Sequence, residues 1–431
     1  MSGWRIPRLT RRQFIGLAAG ASAITAAGVI YRGSRAPLPL GLIGCGDRGQ
    51  QLARTVSNNS WLPEWAEIRA ICDVDSQHIQ AVRQRACPSS QSYSNYLELL
   101  DRPDLAGVLI ASPDHWHVPM TLEAVKRGKA VYCEKPVSLT IGEGSSVVRQ
   151  VHDRGAVVQV GTQQRSHWQF QRACELVRNG RLGQLLRVRI DLPENLSGGP
   201  FTTSAPPPNL NWEQWLGPAP WAEFCKERCH STFRGWYEYS GGKITDWGAH
   251  HLDIVHWAMG DNTLGPTRLV AQGKLPQIPN GYNVPPQFQV ELEYPGPVIV
   301  ELRSDPVKNG ILFQGDLGEI YVNRKRLGGK PVEELSRNPL PLDAWRVSPE
   351  SAYATSVLSY ETRHLLNFFN AIRHGTPVRS DIAQAHRSAS ACHLANIALR
   401  SQRALHWSPA SESFSEDKME LTSYLDRPAR S

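Results

Sequence analysis

The sequence predicts two folded domains: an α/β domain with a doubly wound parallel sheet, then an α+β domain with an open, mainly antiparallel sheet. Two observations support this division. From residue 38 to about 161, short apolar runs alternate with helical patterns, which is typical of parallel strands joined by crossover helices. Beyond residue 161 the apolar runs mostly follow at hairpin-like spacing. With 431 residues, 41% of them hydrophobic, the chain is long enough for two cores.

The first 35 residues carry most of the net charge of +7. They contain six arginines and no acidic residue, whereas the rest of the chain holds 41 basic and 40 acidic residues. Arg11 and Arg12 form a twin-arginine pattern, and the stretch 14–30 is free of charge. We therefore expect residues 1–35 to be a twin-arginine export signal that directs the protein to the periplasm or another extracytoplasmic compartment. Its apolar run is short for a membrane span, although an uncleaved tether stays open as an alternative.

Composition argues against several other classes of protein. The near balance of charge after residue 35 gives no support for a nucleic-acid partner, and it leaves membrane contact to the export signal alone. The eight cysteines have neither the spacing of a small disulfide scaffold nor that of a paired Cys-x-x-Cys zinc site. Cys225 and Cys229 are close enough for a local disulfide, which stays open as an alternative.

The N-terminal domain is expected to span residues 36–160. Its strands are predicted where short apolar runs occur between helical patterns, at 38–43, 67–72, 106–111, 129–133 and 157–160.

The second domain is expected to span residues 161–431. A helix at 170–179 ends at Gly180, a strand follows at 185–192, and the connection 197–239 is too irregular to assign. A further helix is predicted at 246–259. Strands are predicted at 267–272, 287–294, 298–304, 311–314 and 319–323. Two helices within about 355–402, at 360–374 and 382–402, close the fold.

A glycine-rich turn directly follows the first predicted strand and opens a helix. Residues 44–49 match the G-x-G-x-x-G pattern in its meaningful strand-turn-helix context. Gly44 permits the tight turn, Gly46 lets the backbone approach a pyrophosphate, and Gly49 allows the helix to pack closely on the strand. The helix N-terminus favours phosphate. The pattern predicts a dinucleotide-binding Rossmann domain, although Asp47 places a carboxylate where it does not help to bind an anion.

Asp73 indicates which dinucleotide the domain binds. It ends the second predicted strand, where an acidic residue accepts hydrogen bonds from the adenosine ribose. A carboxylate at this place would repel a 2′-phosphate, so we expect NAD rather than NADP. Because free NAD is scarce outside the cytoplasm, we expect the cofactor to be tightly bound before export.

Two segments carry the candidate reacting groups. Glu134, Lys135 and Pro136 follow the fourth predicted strand, and ligands bind beyond the carboxyl ends of such strands. A lysine there can hold a substrate hydroxyl. Asp246 and His250 share one face of a predicted helix, and histidine is suited to proton transfer near neutral pH.

The glycine turn, Asp73, the Glu134-Lys135-Pro136 segment and the Asp246-x-x-x-His250 pair, in this order, resemble the glucose-fructose oxidoreductase/inositol dehydrogenase/MocA (Gfo/Idh/MocA) family. The resemblance covers nearly the whole chain after residue 36. It implies a Rossmann domain followed by a domain with an open antiparallel sheet, NAD(P)-dependent chemistry on a small-molecule carbohydrate or polyol, and a homo-oligomer.

The resemblance also implies roles for individual residues. The catalytic positions are Lys135, Asp246 and His250. The cofactor-binding positions are Gly44, Gly46, Asp47, Arg48, Gly49, Asp73, Ser112, Pro113, His117, Glu134 and Lys135. The substrate-binding positions are Lys135, Gln163, Arg165, Asp246 and His250.

Several alternatives stay open at this point. The acidic and histidine residues between Asp246 and His256 match no standard metal motif, so we expect no metal site. Aromatic residues of the connection 197–239 could stack on sugar rings, or could be core anchors: Trp212, Trp215, Trp221, Trp236, Tyr237 and Tyr239. A glycoside hydrolase or lyase that uses transient oxidation, and a non-catalytic sugar-binding protein, are the rival functions.

Overall fold

The structure is a computed structural model that describes residues 36–58, 62, 64–260, 263–347, 358–415, 419–427 and 430. The predicted export signal lies outside the described residues. In the part of the chain that is described, no helix combines the length and hydropathy that crossing a membrane requires.

The N-terminal domain is built on a six-stranded, fully parallel sheet. Its strands are β1 Leu38–Ile43, β2 Ala66–Cys72, β3 Gln91–Tyr93, β4 Gly107–Ile110, β5 Ala130–Cys133 and β6 Val158–Val160. They lie in the order β3-β2-β1-β4-β5-β6, and the point between β1 and β4 is where the order reverses. Ligands bind at this switch point in doubly wound sheets. The predicted fold class is confirmed, with one strand more than expected, because the short and polar edge strand β3 has no apolar run.

Helices cover both faces of this sheet. They are α1 Asp47–Ser57, α2 Ser76–Arg85, α3 Tyr96–Leu100, α4 His117–Lys126 and α5 Ile141–Asp153. The strand side chains are almost all buried between these layers, which explains why the strands read as continuous apolar runs rather than as alternating patterns.

The second domain contains a nine-stranded sheet. Its strands are β7 Leu185–Leu192, β8 Arg268–Gly273, β9 Phe288–Glu293, β10 Ile299–Ser304, β11 Gly310–Gly315, β12 Gly318–Val322, β13 Leu327–Gly328, β14 Leu405–Ser408 and β15 Ser413–Phe414. The order is β13-β12-β11-β7-β10-β9-β8-β14-β15. Only β7 and β10 pair in parallel among these described strands, so the sheet is mixed but mainly antiparallel.

The helices of the second domain are α6 Trp168–Arg178, α7 Trp212–Leu216, α8 Gly242–Met259, α9 Lys330–Glu333, α10 Tyr360–His374, α11 Ile382–Ser401 and α12 Met419–Thr422. Helix α8 begins at Gly242, four residues earlier than predicted, with Gly241 at its N-cap. Helices α8 and α11 pack on each other and on the nine-stranded sheet, and both are buried along most of their length. This packing holds the side chains of α8 in fixed positions.

Helix α10 belongs to the C-terminal part of the sequence but packs on the N-terminal domain. Its residues Leu365, Phe368 and Phe369 belong to the apolar core that β1 and β2 form with α1. The periodicity of α10 identified the helix correctly, but a sequence pattern does not say which apolar surface the helix meets.

The connection 197–239 folds around its own aromatic core. Trp212, Trp215, Trp236 and Tyr239 pack there with Phe224 and with the buried cysteines Cys225 and Cys229, which are free thiols. These aromatic side chains therefore anchor the connection. Trp221 is exposed instead.

The same connection contacts the N-terminal domain. The Asn211 amide donates to the Val74 carbonyl over 2.9 Å, and the Ser76 amide donates to the Asn209 carbonyl over 2.9 Å. A β-bridge joins Leu210 to Asp75. The connection is thus tied to the segment between β2 and α2.

Candidate active site

A cavity of about 690 Å³ lies at the carboxyl edge of the parallel sheet, between that sheet and helix α8. It is lined by thirteen of the predicted site residues: Gly44, Gly46, Asp47, Arg48, Asp73, Ser112, Pro113, His117, Glu134, Lys135, Gln163, Asp246 and His250. Residues more than 200 positions apart in the chain therefore share one cavity.

The glycine turn has the geometry of a phosphate-binding loop. Gly44 has φ +89°, and a Cβ there would lie 2.6 Å from the Ala111 backbone. A Cβ on Gly49 would lie 1.9 Å from the Gly44 carbonyl oxygen, so only glycine permits this close contact between helix and strand. Gly49 lies outside the described lining of the cavity. A Cβ on Gly46 would meet nothing closer than His78 at 3.8 Å and would project toward the cavity. No side chain caps the described N-terminus of α1, which leaves its N–H groups for a ligand.

Asp73 ends β2 beside this turn. One of its carboxylate oxygens accepts from the Cys45 amide at 2.5 Å, and the other accepts from the Asp75 amide at 2.8 Å. These bonds fix a carboxylate at the cavity wall. His78 Nδ1 lies 3.5 Å from the oxygen that accepts from Cys45, and the other oxygen keeps a second lone pair for a ribose hydroxyl.

Lys135 and Asp246 form an ion pair across the two domains. The Lys135 Nζ lies 2.6 Å from Asp246 Oδ1 and 3.0 Å from the Asp246 carbonyl oxygen. Lys243 Nζ lies 3.1 Å from the other carboxylate oxygen, and Arg234 Nε lies 3.4 Å from Oδ1. Burial raises the pKa of Asp246, but these three cations together lower that pKa well below its usual value. Asp246 is therefore ionised at neutral pH and orients the lysine.

His250 lies one helical turn after Asp246 and is 5% exposed. Its Nδ1 is buried and has no hydrogen-bond partner among the described residues. Burial first, then the charges of Lys135 and Arg324, lower the pKa of His250 well below its usual value of 6.5. The imidazole is neutral at pH 7 and can accept a proton.

Glu134 lines the cavity and accepts hydrogen bonds from two other lining residues. Its Oε1 accepts from Arg48 Nε at 2.7 Å and from Gln163 Nε2 at 2.8 Å. Arg48 also donates to Glu361 at 2.9 Å, and its Nη2 is buried without a hydrogen-bond partner in the described chain. Gln163 is thus a cavity residue whose amide is already engaged by protein groups.

His117 lines the cavity but bonds to the backbone. Its Nδ1 lies 2.6 Å from the Pro136 carbonyl oxygen, and its Nε2 lies 3.0 Å from the Ser112 carbonyl oxygen. It therefore joins the loop after β4 to the segment that carries Lys135. The neighbouring Ser112 Oγ is buried and lacks a hydrogen-bond partner within the residues described.

Arg165 is the predicted substrate-binding residue that lies outside the described lining of this cavity. Its guanidinium forms two hydrogen bonds with Asp253, at 2.7 and 2.8 Å, and lies 5.2 Å from the centre of the Trp257 ring. Arg165 is 3% exposed and is absent from the described lining of the cavity. The structure places Arg165 in a buried ion pair with Asp253 beside α8, and its contact with substrate stays a prediction.

Arg234, Arg324 and Tyr360 are among the further lining residues that no sequence motif indicates. Arg234 comes from the connection, Arg324 follows β12, and Tyr360 begins α10. Arg324 lies 4.6 Å from the centre of the Trp247 ring. No motif surrounds these residues, and only the packing of separate elements brings them to the cavity.

The residues present fit a dinucleotide. The free N–H groups of α1 and the open side of Gly46 suit a pyrophosphate, and Asp73 suits a ribose. Ser112 Oγ and Arg48 Nη2 are buried polar atoms at the cavity that a polar ligand would satisfy.

Two family models match this chain. One, described as an oxidoreductase family with an NAD-binding Rossmann fold, matches residues 38–162; the other, its C-terminal alpha/beta domain, matches residues 196–327. Together they cover more than half of the chain.

Individual proteins agree with these matches. An uncharacterized oxidoreductase, YrbE, of Bacillus subtilis is 29% identical over 54% of this chain and 56% of its own length. An inositol 2-dehydrogenase of Salmonella paratyphi B is 27% identical over 35% of this chain and 44% of its own length. The alignments thus span about half the length of these relatives.

A crystal structure of the WlbA dehydrogenase from Bordetella pertussis, in complex with NADH and UDP-GlcNAcA, has the same fold. Its TM-score is 0.66 at 16% identity, over 87% of this chain and 99% of that one. With both family models matched and the glycine turn, Asp73, Lys135, Asp246 and His250 gathered at one cavity, the chain belongs to the Gfo/Idh/MocA oxidoreductase family.

Proposed function

We propose that this protein is an exported, NAD-dependent oxidoreductase that transfers hydride between nicotinamide and a hydroxyl-bearing carbon of a sugar, polyol or glycoside. One observation carries the proposal: the Lys135–Asp246 ion pair and the neutral His250 lie at the same cavity as the phosphate-binding turn. Hydride acceptor and proton acceptor can thus be reached by one substrate.

The side chains divide the remaining chemistry between them. Nicotinamide, when bound, supplies the hydride-accepting chemistry. Lys135 donates a hydrogen bond to the substrate hydroxyl oxygen and stabilises negative charge on it. His250 takes the hydroxyl proton as the carbon loses hydride and becomes a carbonyl. Asp246 keeps Lys135 in place through the 2.6 Å contact between its Oδ1 and the lysine Nζ.

Export and a tightly held cofactor belong to the same proposal. Their support is the twin-arginine pattern at Arg11 and Arg12, together with the enclosure of the cavity by both domains. A homo-oligomer is proposed from the family alone, and light scattering on the purified protein would test it.

The first experiment is to denature protein purified after export and to identify released nucleotides by mass spectrometry and absorbance. About one equivalent of NAD(H) per chain is expected. An empty protein that takes up no nicotinamide nucleotide would contradict the proposal.

The second experiment tests the assignment of His250. The His250→Ala variant should retain NAD but lose at least about 100-fold in kcat, as expected for removal of a general base. The His152→Ala variant is the control, because His152 is exposed and lies away from the cavity. Full turnover by a folded His250→Ala variant would remove His250 from the mechanism.

The glycosidase rival predicts a different product balance. Cleavage of a nitrophenyl glycoside without net formation of reduced cofactor would favour it. Accumulation of reduced cofactor with a sugar or polyol would favour the dehydrogenase.

A further inference from the structure

Three side chains of types that bind metal ions lie together in the lining of the cavity, beside Asp73. Asp75 and His78 come from the segment that begins α2, and His230 comes from the connection 197–239. One ligand atom of each side chain lies within 4.8 Å of the other two. Nothing in the oxidoreductase chemistry proposed above uses these three groups.

The separations are close to those that one ion requires. His230 Nε2 lies 3.5 Å from Asp75 Oδ2, and the two imidazole rings have centroids 4.5 Å apart. Ligands at 2.0–2.2 Å from a tetrahedral Zn²⁺ lie about 3.3–3.6 Å from each other. Side-chain rotations that shorten the remaining separations, which are at most 4.8 Å, would bring all three atoms to one ion.

Asp75 is held with one oxygen turned to the histidines. Its Oδ1 accepts from the Gln77 amide and from Asn209 Nδ2, both at 2.8 Å, whereas Oδ2 is the oxygen that faces His230. The residue is 3% exposed, so the carboxylate is fixed by packing as well as by hydrogen bonds. Such support of a ligand by neighbouring groups is typical of metal sites.

His230 is held in an uncommon backbone conformation. Its φ is +55°, in the left-handed region that non-glycine residues seldom adopt. The conformation aims the imidazole from the connection toward the N-terminal domain. Strain of this kind persists where surrounding structure enforces it and is found at ligand sites.

The acidic side chains around this cluster also favour the binding of a cation. Asp47, Asp73 and Asp75 all line this end of the cavity. In the described chain, Asp73 and Asp75 form ion pairs with His78 and His230 only, and with no lysine or arginine. Two imidazoles with one carboxylate suit Zn²⁺, whereas Mg²⁺ and Ca²⁺ prefer oxygen ligands alone.

We propose that Asp75, His78 and His230 bind one Zn²⁺ ion that fastens the connection 197–239 to the N-terminal domain beside Asp73. Three protein ligands leave the fourth position to water. The site is distinct from Lys135, Asp246 and His250, and it does not depend on the proposed reaction. Because the ion would lie beside the ribose-binding carboxylate, it would close the adenosine end of the cavity.

Metal binding is tested on the full, folded chain without an affinity tag. After treatment with a chelator and desalting, the protein is titrated with Co²⁺ as a spectroscopic probe and with Zn²⁺ by calorimetry. One equivalent should bind, with the intense visible absorption of tetrahedral Co²⁺. Absence of stoichiometric binding at micromolar metal would overturn the proposal.

Variants assign the ligands. His230→Asn and Asp75→Asn should each weaken Zn²⁺ binding more than about 100-fold, since even the loss of a supporting group costs 10–100-fold. Asp75→Asn keeps an oxygen that can accept from Gln77 and Asn209, so it preserves the local fold. His152→Asn is the matched control, because His152 also lies near an aspartate but has no third ligand among the residues that the structure describes. Equal affinity in wild type and His230→Asn would exclude this site.

Hydrogen exchange tests whether the ion fastens the connection 197–239 to the N-terminal domain. Zn²⁺ should slow hydrogen exchange in residues 226–235 of the wild type and leave it unchanged in His230→Asn. Unchanged exchange in the wild type would overturn the fastening role, whatever the affinity.

Discussion

Burial and neighbouring charges set the charge states of Asp246 and His250. Three cations around Asp246 keep that carboxylate ionised, whereas two cations and burial keep His250 neutral. Two side chains four residues apart are thus ionised in one case, Asp246, and neutral in the other, His250, as the proposed proton transfer needs.

The pH dependence of oxidation should reflect the neutral His250. Because its pKa lies well below 6.5, the basic form persists as the pH falls, and kcat/KM should show no decline near pH 6.5. The Arg324→Met variant removes one of the charges that lower this pKa. Its acid limb should therefore move to higher pH in a pH–rate profile, and an unmoved limb would contradict the electrostatic account.

Arg165 should matter for stability rather than for substrate affinity. The Arg165→Met variant leaves the fully buried Asp253 without its partner, which should cost about 3–5 kcal/mol in the free energy of unfolding. Denaturant unfolding measures this loss. An increase in KM without loss of stability would restore Arg165 to the substrate site.

At the scale of elements, the turn between β1 and α1 separates packing from binding. Gly49 lies against the Gly44 carbonyl, whereas a Cβ on Gly46, which lines the cavity, would make only ordinary van der Waals contact with His78. The two glycines occur in one motif, but the structure assigns them different physical tasks.

Matched alanine variants should show this difference. Gly49→Ala forces a Cβ to within 1.9 Å of a backbone oxygen and should lower the free energy of unfolding by roughly 1–3 kcal/mol or more. Gly46→Ala should cost less than about 1 kcal/mol but weaken NAD binding, because its Cβ occupies space that the pyrophosphate would approach. Thermal unfolding and NAD titration of both variants provide the test. The same unfolding temperature in both would contradict it.

At the scale of the whole molecule, buried histidines form hydrogen bonds between elements that are far apart in the sequence. His115 contacts the connection, His256 joins α8 to Tyr294, and His364 joins α10 to β6. Burial is the first cause that lowers the pKa of each from 6.5 to about 3.

These histidines predict acid lability. Between pH 6.5 and about 3 the unfolded chain binds protons that the folded chain excludes, so the free energy of unfolding falls as the pH falls. Each such histidine contributes about 1.4 kcal/mol per pH unit in this window. Urea unfolding at pH 7 and pH 5 measures the difference. The His364→Gln variant, once corrected for its own lower stability, should show a shallower dependence on pH.

The sequence by itself determined the fold class, most strands and long helices, and the positions of the glycine turn and of the candidate reacting residues. These features depend on local periodicity and on short motifs, which a linear pattern contains. It missed the polar edge strand β3, the parallel pairing of β7 with β10, and the structural role of Arg165. Each of these depends on which partner an element meets.

Only the tertiary structure decided what surrounds the candidate site. It placed α10 on the N-terminal domain, brought Arg234 and Arg324 to the cavity, and set His230 beside Asp75. The physical reason is that burial and charge are properties of neighbours in space. Residues separated by more than 150 positions become neighbours only when separate apolar surfaces pack, and the pattern of one segment does not specify which surface covers it.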